Sequence, residues 1–134
     1  MPIEPSTLKA VEATVSLWRR TKFEWGKTDC ILSVCDHVQA VTGIDPAAPW
    51  RGTYDSQDGA QAIHEAYGGV LALMDHGMAL AGLSRCEPSC GLPVVADVRG
   101  NAVAGVQGEH FVAFRLANQG VFQCRAKILG AWRI

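Results

Sequence analysis

The hydrophobic pattern of the chain changes at Leu92, and this change constrains the fold more than any other feature. Before it, apolar residues recur at helical spacing, as at Val11, Val15 and Trp18. After it, short β-branched and aromatic runs alternate with Gly, Asn and Gln. Helices followed by a meander of strands predict an α+β fold, in which N-terminal helices pack on a small antiparallel sheet formed by the C-terminal half. The predicted helices cover 6–20, 29–42, 57–67 and 70–80, and the predicted strands cover 94–98, 111–116 and 121–125.

Capping residues mark the ends of the predicted helices. Thr28 or Asp29 can accept hydrogen bonds from the free amides at the start of the second helix, and Ser56 can do so for the third. Gly43 stands where the second helix needs a left-handed residue to end. Tight turns between strands are predicted at Gly100-Asn101 and at 118–120.

Composition narrows the classes of protein to which the chain can belong. It has 134 residues, of which 49% are hydrophobic and 19% charged, as expected of one globular domain. Its formal net charge of −1 argues against nonspecific nucleic-acid binding. No apolar run approaches the roughly 20 residues of a membrane span. The N-terminus lacks a basic region followed by an apolar stretch, so no signal peptide is expected and synthesis is predicted to be cytoplasmic.

The chain contains five cysteines, and without an export signal they argue against a disulfide framework. Cys35 lies in the apolar stripe of the second helix and is predicted to be a core residue. Cys86, Cys90 and Cys124 with a histidine form an alternative zinc site, but their spacing does not match the usual paired-cysteine pattern. No metal or other cofactor is therefore expected.

Cys30 is the strongest candidate for a reactive residue. It lies in the first turn of the second predicted helix, where unpaired backbone amides and the helix dipole favour the thiolate over the thiol. The alternative is that Cys30 is a small core residue, as free cysteines often are.

The predicted strands supply a base and an orienting group for this thiol. His110 opens the second predicted strand, and at the edge of a sheet its imidazole can take the proton from a thiol. Gln123, on the next strand, can accept the ring proton and fix the tautomer. The alternatives are a surface histidine beside Glu109 and an outward-facing polar residue on an edge strand.

The other three histidines are weaker candidates. His37 lies on nearly the same helix face as Cys30 but two turns away, too far for direct contact with the thiol. His64 and His76 occupy polar positions of later helices and are expected to be solvated.

Three segments of the chain carry a resemblance to a known family. They are Trp25-Gly26-Lys27-Thr28-Asp29-Cys30, Val94-Val95-Ala96-Asp97-Val98 and His110-Phe111-Val112-Ala113-Phe114. Together they look like the NlpC family of papain-like cysteine peptidases, in which Asp-Cys begins a helix, a Gly-Asp-hydrophobic strand follows, and a histidine opens the next strand. The resemblance covers residues 1–134 as a single domain and implies a papain-like fold. The matching site positions are Cys30, Asp97, His110 and Gln123.

Further motifs look like a small phage-encoded branch of that fold. They are Trp-Gly-x-x-Asp-Cys at 25–30, Thr42-Gly43-Ile44-Asp45-Pro46, Arg51-Gly52-Thr53-Tyr54-Asp55-Ser56 and Ala131-Trp132-Arg133-Ile134. This resemblance implies a phage tail or gene-transfer particle as the setting. It also implies a peptide bond in bacterial cell-wall stem peptides, and hence peptidoglycan, as the substrate.

Two functions follow as hypotheses. In the first, the protein is a cysteine hydrolase: Cys30 attacks an amide carbonyl, His110 acts as base and then acid, and Gln123 orients the imidazole. In the second, it is a catalytically idle papain-like module that docks onto phage tail-tip proteins. Trp50 and Trp132 are its exposed candidates for docking. Neither hypothesis involves nucleic acid or a membrane span.

Overall fold

The computed structural model describes residues 3–118 and 120–134 and has the expected α+β architecture, with helices first and strands afterwards. The helices are α1 (Pro5–Arg20), α2 (Cys30–Thr42), α3 (Gln57–Tyr67) and α4 (Val70–Leu80). The strands are β1 (Pro93–Val98), β2 (Asn101–Gln107), β3 (Val112–Leu116), β4 (Gly120–Cys124) and β5 (Lys127–Ala131). None of the described helices is long and apolar enough to cross a membrane.

The helices form where the sequence predicts them, because local capping residues fix their ends. The side chains of Asp29 and Ser56 accept hydrogen bonds from the amides three residues later, at the starts of α2 and α3. Gly43 ends α2 in the left-handed region at φ 79°. The start of α1 is different, since it depends on Pro5 in the first turn and has no side-chain cap among the described residues.

The sheet is antiparallel with the strand order β4-β3-β2-β1-β5, and β2 and β5 are absent from the sequence prediction. Both consist of small or mixed residues without a β-branched run, so an alternating pattern does not reveal them. A tight turn joins β1 to β2 one residue before the predicted position, with Arg99 and Gly100 at φ 54° and 84° and Asn101 already paired in β2. The other predicted turn, at 118–120, includes Gln119, which lies outside the described residues.

The sheet must curl, because its two edge strands are joined by a very short link. β4 ends at Cys124 and β5 begins at Lys127, yet the two strands lie at opposite edges. In a flat sheet these edges would be about 19 Å apart, whereas three Cα steps span about 11 Å at most. β2 and β3 pair at Val106↔Ala113 and Gln107↔Val112, near one end of each strand, so the β3–β4 hairpin can swing away from β2 and complete the curl.

Both faces of the curled sheet contribute to the hydrophobic core. The helices cover one face, where Val34 and Cys35 of α2 are fully buried in one cluster with Val106. The prediction that Cys35 is a core residue is therefore confirmed. The opposite face holds a second cluster, whose buried members are Val94, Ala96, Val112, Phe114 and Ala131.

The prediction that Trp50 and Trp132 are exposed is wrong, since each is 1% exposed. The Trp132 indole donates from Nε1 to Asp75 at 3.2 Å, and the Arg85 guanidinium carbon lies 5.4 Å from the centre of its ring. Trp50 packs against Gly77 of α4, where a side chain would have no room. Neighbours distant in sequence bury both rings, so neither is available for docking.

Candidate functional site

The Asp29 carboxylate lies buried at the start of α2, and both of its oxygens accept hydrogen bonds from other residues of the chain. Its Oδ1 accepts a hydrogen bond from the Leu32 amide at 3.0 Å. Its Oδ2 accepts one from the Gly26 amide at 3.0 Å and one from the Tyr54 hydroxyl at 2.6 Å. The aspartate of the Asp-Cys pair thus joins α2 to the preceding turn and to the loop before α3.

The Cys30 thiol next to it is not activated by its surroundings. Burial raises its pKa to about 12, and the neighbouring Asp29 carboxylate acts in the same direction. The backbone amides of Ile31 and of Cys30 itself lower the pKa, as expected at a helix start, but their effect is smaller. The thiol is therefore protonated at neutral pH, because loss of solvation outweighs the helix terminus.

His110 and Gln123 both line a groove between α1 and the β3–β4 hairpin. This α1 groove has a volume of about 580 Å³, and its walls include Val11, Val15, Arg19, His110, Phe111 and Gln123. The His110 side chain is 70% exposed, with Nε2 3.9 Å from Oε1 of Glu109. Gln123 lies opposite Ala113 on the edge strand β4 and is exposed. The structure therefore brings two of the three predicted site residues to one groove.

Cys30 does not line the α1 groove that His110 and Gln123 share. Nε2 of His37 donates to the Gly91 carbonyl at 2.8 Å, and the Gly91 amide donates to the Gln107 carbonyl at 2.8 Å. The middle of α2 therefore lies near the end of β2 that precedes His110. Cys30 is about 10 Å further along the helix axis. Within residues 3–118 and 120–134, no hydrogen bond joins Cys30 to a histidine.

The strand order also differs from the one that the resemblance implies. Asp97 lies near the end of β1, where its Oδ1 accepts a hydrogen bond from the Gly100 amide at 2.8 Å and closes the turn. The next strand is β2, which begins at Asn101, so His110 precedes the third strand and not the second. At the start of β2, Ala102 is the partner of Asp97, and alanine offers no acid or base.

The other motif residues bind one another. Arg51 donates to Asp45 from Nε at 2.8 Å and from Nη2 at 3.1 Å, and to Asp36 on α2 from Nη2 at 2.8 Å. Burial would raise the pKa of Asp45, but hydrogen bonds from Arg51 and from the Ala47 amide lower it overall. The Thr-Gly-x-Asp-Pro and Arg-Gly-x-Tyr motifs are thereby tied to each other and to α2.

His64 was expected to be solvated, and its position in the structure differs from that prediction. It is half-buried on α3 and not fully solvated; burial lowers its pKa, while the Asp29 carboxylate raises it. It lines a cleft with Asn101 and Ala102 at the start of β2. His64 has polar residues near it on the helix, so the sequence did not predict that it lies at this cleft. His76 is exposed, as predicted.

Metal ligands do not converge in the described part of the chain, where no three His, Cys, Asp or Glu side chains could hold an ion together. The five cysteines are free thiols, with Cys35 buried and the others partly exposed.

Comparison with protein families matches residues 5–134 to a family described as "Domain of unknown function (DUF6950)". No curated protein and no solved structure gives a significant match.

Proposed function

The chain belongs to the DUF6950 family, and from this premise we propose that it is a binding module that docks onto other proteins, with a papain-like fold and no hydrolytic activity. The observation that carries this proposal is the state of Cys30. Cys30 is partly exposed, but burial raises the pKa of its thiol, the Asp29 carboxylate acts in the same direction, and no hydrogen bond joins it to a histidine among the described residues. A cysteine nucleophile needs either a lowered pKa or an adjacent base, and this one has neither.

The hydrogen bonds of the motif residues support the same proposal. Asp29, Tyr54, Arg51 and Asp97 each have partners within the fold. A catalytic group must keep an unpaired donor or acceptor for its substrate. Because these residues already bind partners within the fold, their contacts support a structural role for the motifs. The proposed setting is a phage tail or gene-transfer particle, and the proposed partners are tail proteins; both rest on the resemblance of the motifs to the phage-encoded branch.

A second candidate function is a cysteine hydrolase that cleaves an amide bond in peptidoglycan stem peptides. The observation that favours this function is that the backbone amides of Cys30 and Ile31 donate hydrogen bonds to the Cys30 sulfur at the helix start. In that mechanism a base takes the thiol proton as the sulfur attacks the carbonyl carbon, and the C–N bond breaks as the leaving amine receives that proton. Water then hydrolyses the thioester, which releases the acid and restores the thiol. His110 and Gln123 would serve only after a rearrangement that brings the α1 groove to Cys30.

Hydrolysis of cell-wall fragments separates the two functions. Wild-type protein, Cys30→Ala and the matched control Cys86→Ala are incubated with peptidoglycan fragments, and released amine is measured. The docking proposal expects no release by any of them above a buffer blank. Release by wild type and Cys86→Ala that disappears in folded Cys30→Ala would overturn it in favour of the hydrolase.

A further inference from the structure

The α1 groove has an apolar floor that is suited to protein side chains. Val11 and Val15 of α1 are 9% and 7% exposed, and Ala113 of β3 is 3% exposed. Beside this floor, Phe111 is 45% exposed, and the Arg125 guanidinium carbon lies 5.9 Å from the centre of its ring. At about 580 Å³ the groove is large enough to take several side chains.

One wall of the groove includes a residue of an edge strand. β4 is an edge strand, and within the described sheet it pairs with β3 alone. Its Gln123 faces the groove. The outer N–H and C=O groups of such an edge can pair with an added strand, and side-chain pockets beside the edge then select the sequence.

The α1 groove is lined by basic side chains at one end and by acidic side chains further along. Arg19 and Arg20 line it at the end of α1, and neither forms an ion pair within the described residues. Glu12 lies about 10 Å back along the helix, on the same groove as Glu109. A ligand with an acidic end therefore meets unpaired guanidinium groups, which bind carboxylates with two parallel hydrogen bonds.

We propose that the α1 groove binds an extended segment of a partner protein, which adds as a strand to β4 and presents acidic side chains to Arg19 and Arg20. The proposal rests on the docking function in naming a protein as the occupant. The five residues of β4 pair with a segment of similar length. Alternate side chains of that segment reach the floor formed by Val11 and Val15.

A random twelve-residue peptide library, displayed and selected against the full-length protein, tests this proposal. Enriched peptides are expected to combine alternating apolar residues with acidic ones. Their affinity for Arg19→Glu/Arg20→Glu is expected to fall by about tenfold or more. The control Lys9→Glu/Lys22→Glu makes the same change in net charge outside the groove and is expected to bind like wild type. Thermal unfolding establishes that both variants fold.

Amide hydrogen exchange locates the bound peptide. Slower exchange confined to β4 and the facing side of α1 is expected. Equal binding to both charge variants, enrichment without acidic residues, protection away from β4, or self-association through the groove that excludes the peptides would overturn the proposal. These outcomes are independent of the amine-release assay, so failure of the groove proposal and failure of the docking function are distinguishable.

Discussion

Asp29 illustrates how a motif residue can serve the fold where its neighbour suggests catalysis. Its carboxylate joins α2, the turn at Gly26 and the loop that carries Tyr54. Gly26 has φ 82°, and a Cβ there would collide with the Tyr54 carbonyl. Gly26 and Asp29 of the Trp-Gly-x-x-Asp-Cys motif therefore have structural roles. The spacing of the motif alone does not distinguish structural residues from catalytic ones.

Removal of the Tyr54 hydroxyl tests this structural role. Tyr54→Phe leaves Asp29 Oδ2 with one donor fewer, and a hydrogen bond to a charged group contributes about 1.5–3 kcal/mol. We expect a loss of about 1–2 kcal/mol in the free energy of unfolding, measured by chemical denaturation, because Tyr54 is half-buried and water replaces part of the bond. Tyr67→Phe is the control, since its hydroxyl makes no hydrogen bond within the described residues. Equal losses in the two variants would contradict this role.

His37 makes stability depend on pH. It is buried between Thr14, which donates to Nδ1 at 2.7 Å, and the Gly91 carbonyl. Burial lowers its pKa below the ordinary value of 6.5. Protonation is then easier in the unfolded chain, so the contribution of His37 to stability is complete above pH 6.5 and is lost as the pH falls through the folded-state pKa.

Titration of the imidazole by NMR measures this effect directly. The midpoint for His37 is expected below 6.5, and the melting temperature is expected to fall in the same pH range. His76→Gln, at an exposed position, should keep the pH dependence of the wild type. A His37 midpoint at or above 6.5 would show that burial does not control its protonation.

At the scale of elements, the sequence predicted correctly those features that depend on residues near one another in the chain, and missed those that depend on distant residues. The helices were predicted because Asp29, Ser56 and Gly43 act on amides and carbonyls a few residues away. β2 and β5 were missed because their small residues become strands only through pairing with β1. The burial of Trp50 and Trp132 likewise depends on α4 and its neighbours, which no local pattern contains.

Gly77 tests the packing of α4 on Trp50. Gly→Ala within a helix ordinarily stabilises a protein by about 0.5–1 kcal/mol. Here the added Cβ would meet the Pro46 carbonyl and lie 2.6 Å from the Trp50 ring. We therefore expect Gly77→Ala to lower the free energy of unfolding by about 1–3 kcal/mol, measured by chemical denaturation. Ala79→Gly at an exposed position gives the propensity effect alone; a stabilised Gly77→Ala would refute the close packing.

At the scale of the whole molecule, the α+β class was predictable and the arrangement of the candidate site was not. Gln123 was correctly assigned to a strand, whereas His110 lies in the bend before β3; both residues line the α1 groove. Their separation from Cys30 follows from the unpredicted strand β2, which shifts His110 to the start of the third strand. The curl of the sheet has the same origin, because it depends on β5 at the far edge.

The pH dependence of Cys30 alkylation tests the central claim most directly. Wild-type protein is treated with iodoacetamide over a range of pH, and the rate at each cysteine is read from peptide fragments by mass spectrometry. Cys86 is the reference, because it is partly exposed like Cys30. We predict that Cys30 reacts more slowly than Cys86 near neutral pH, with a midpoint above 9.0, the ordinary thiol value. A Cys30 midpoint below about 7.5, with faster reaction than Cys86, would contradict the account and indicate an activated nucleophile.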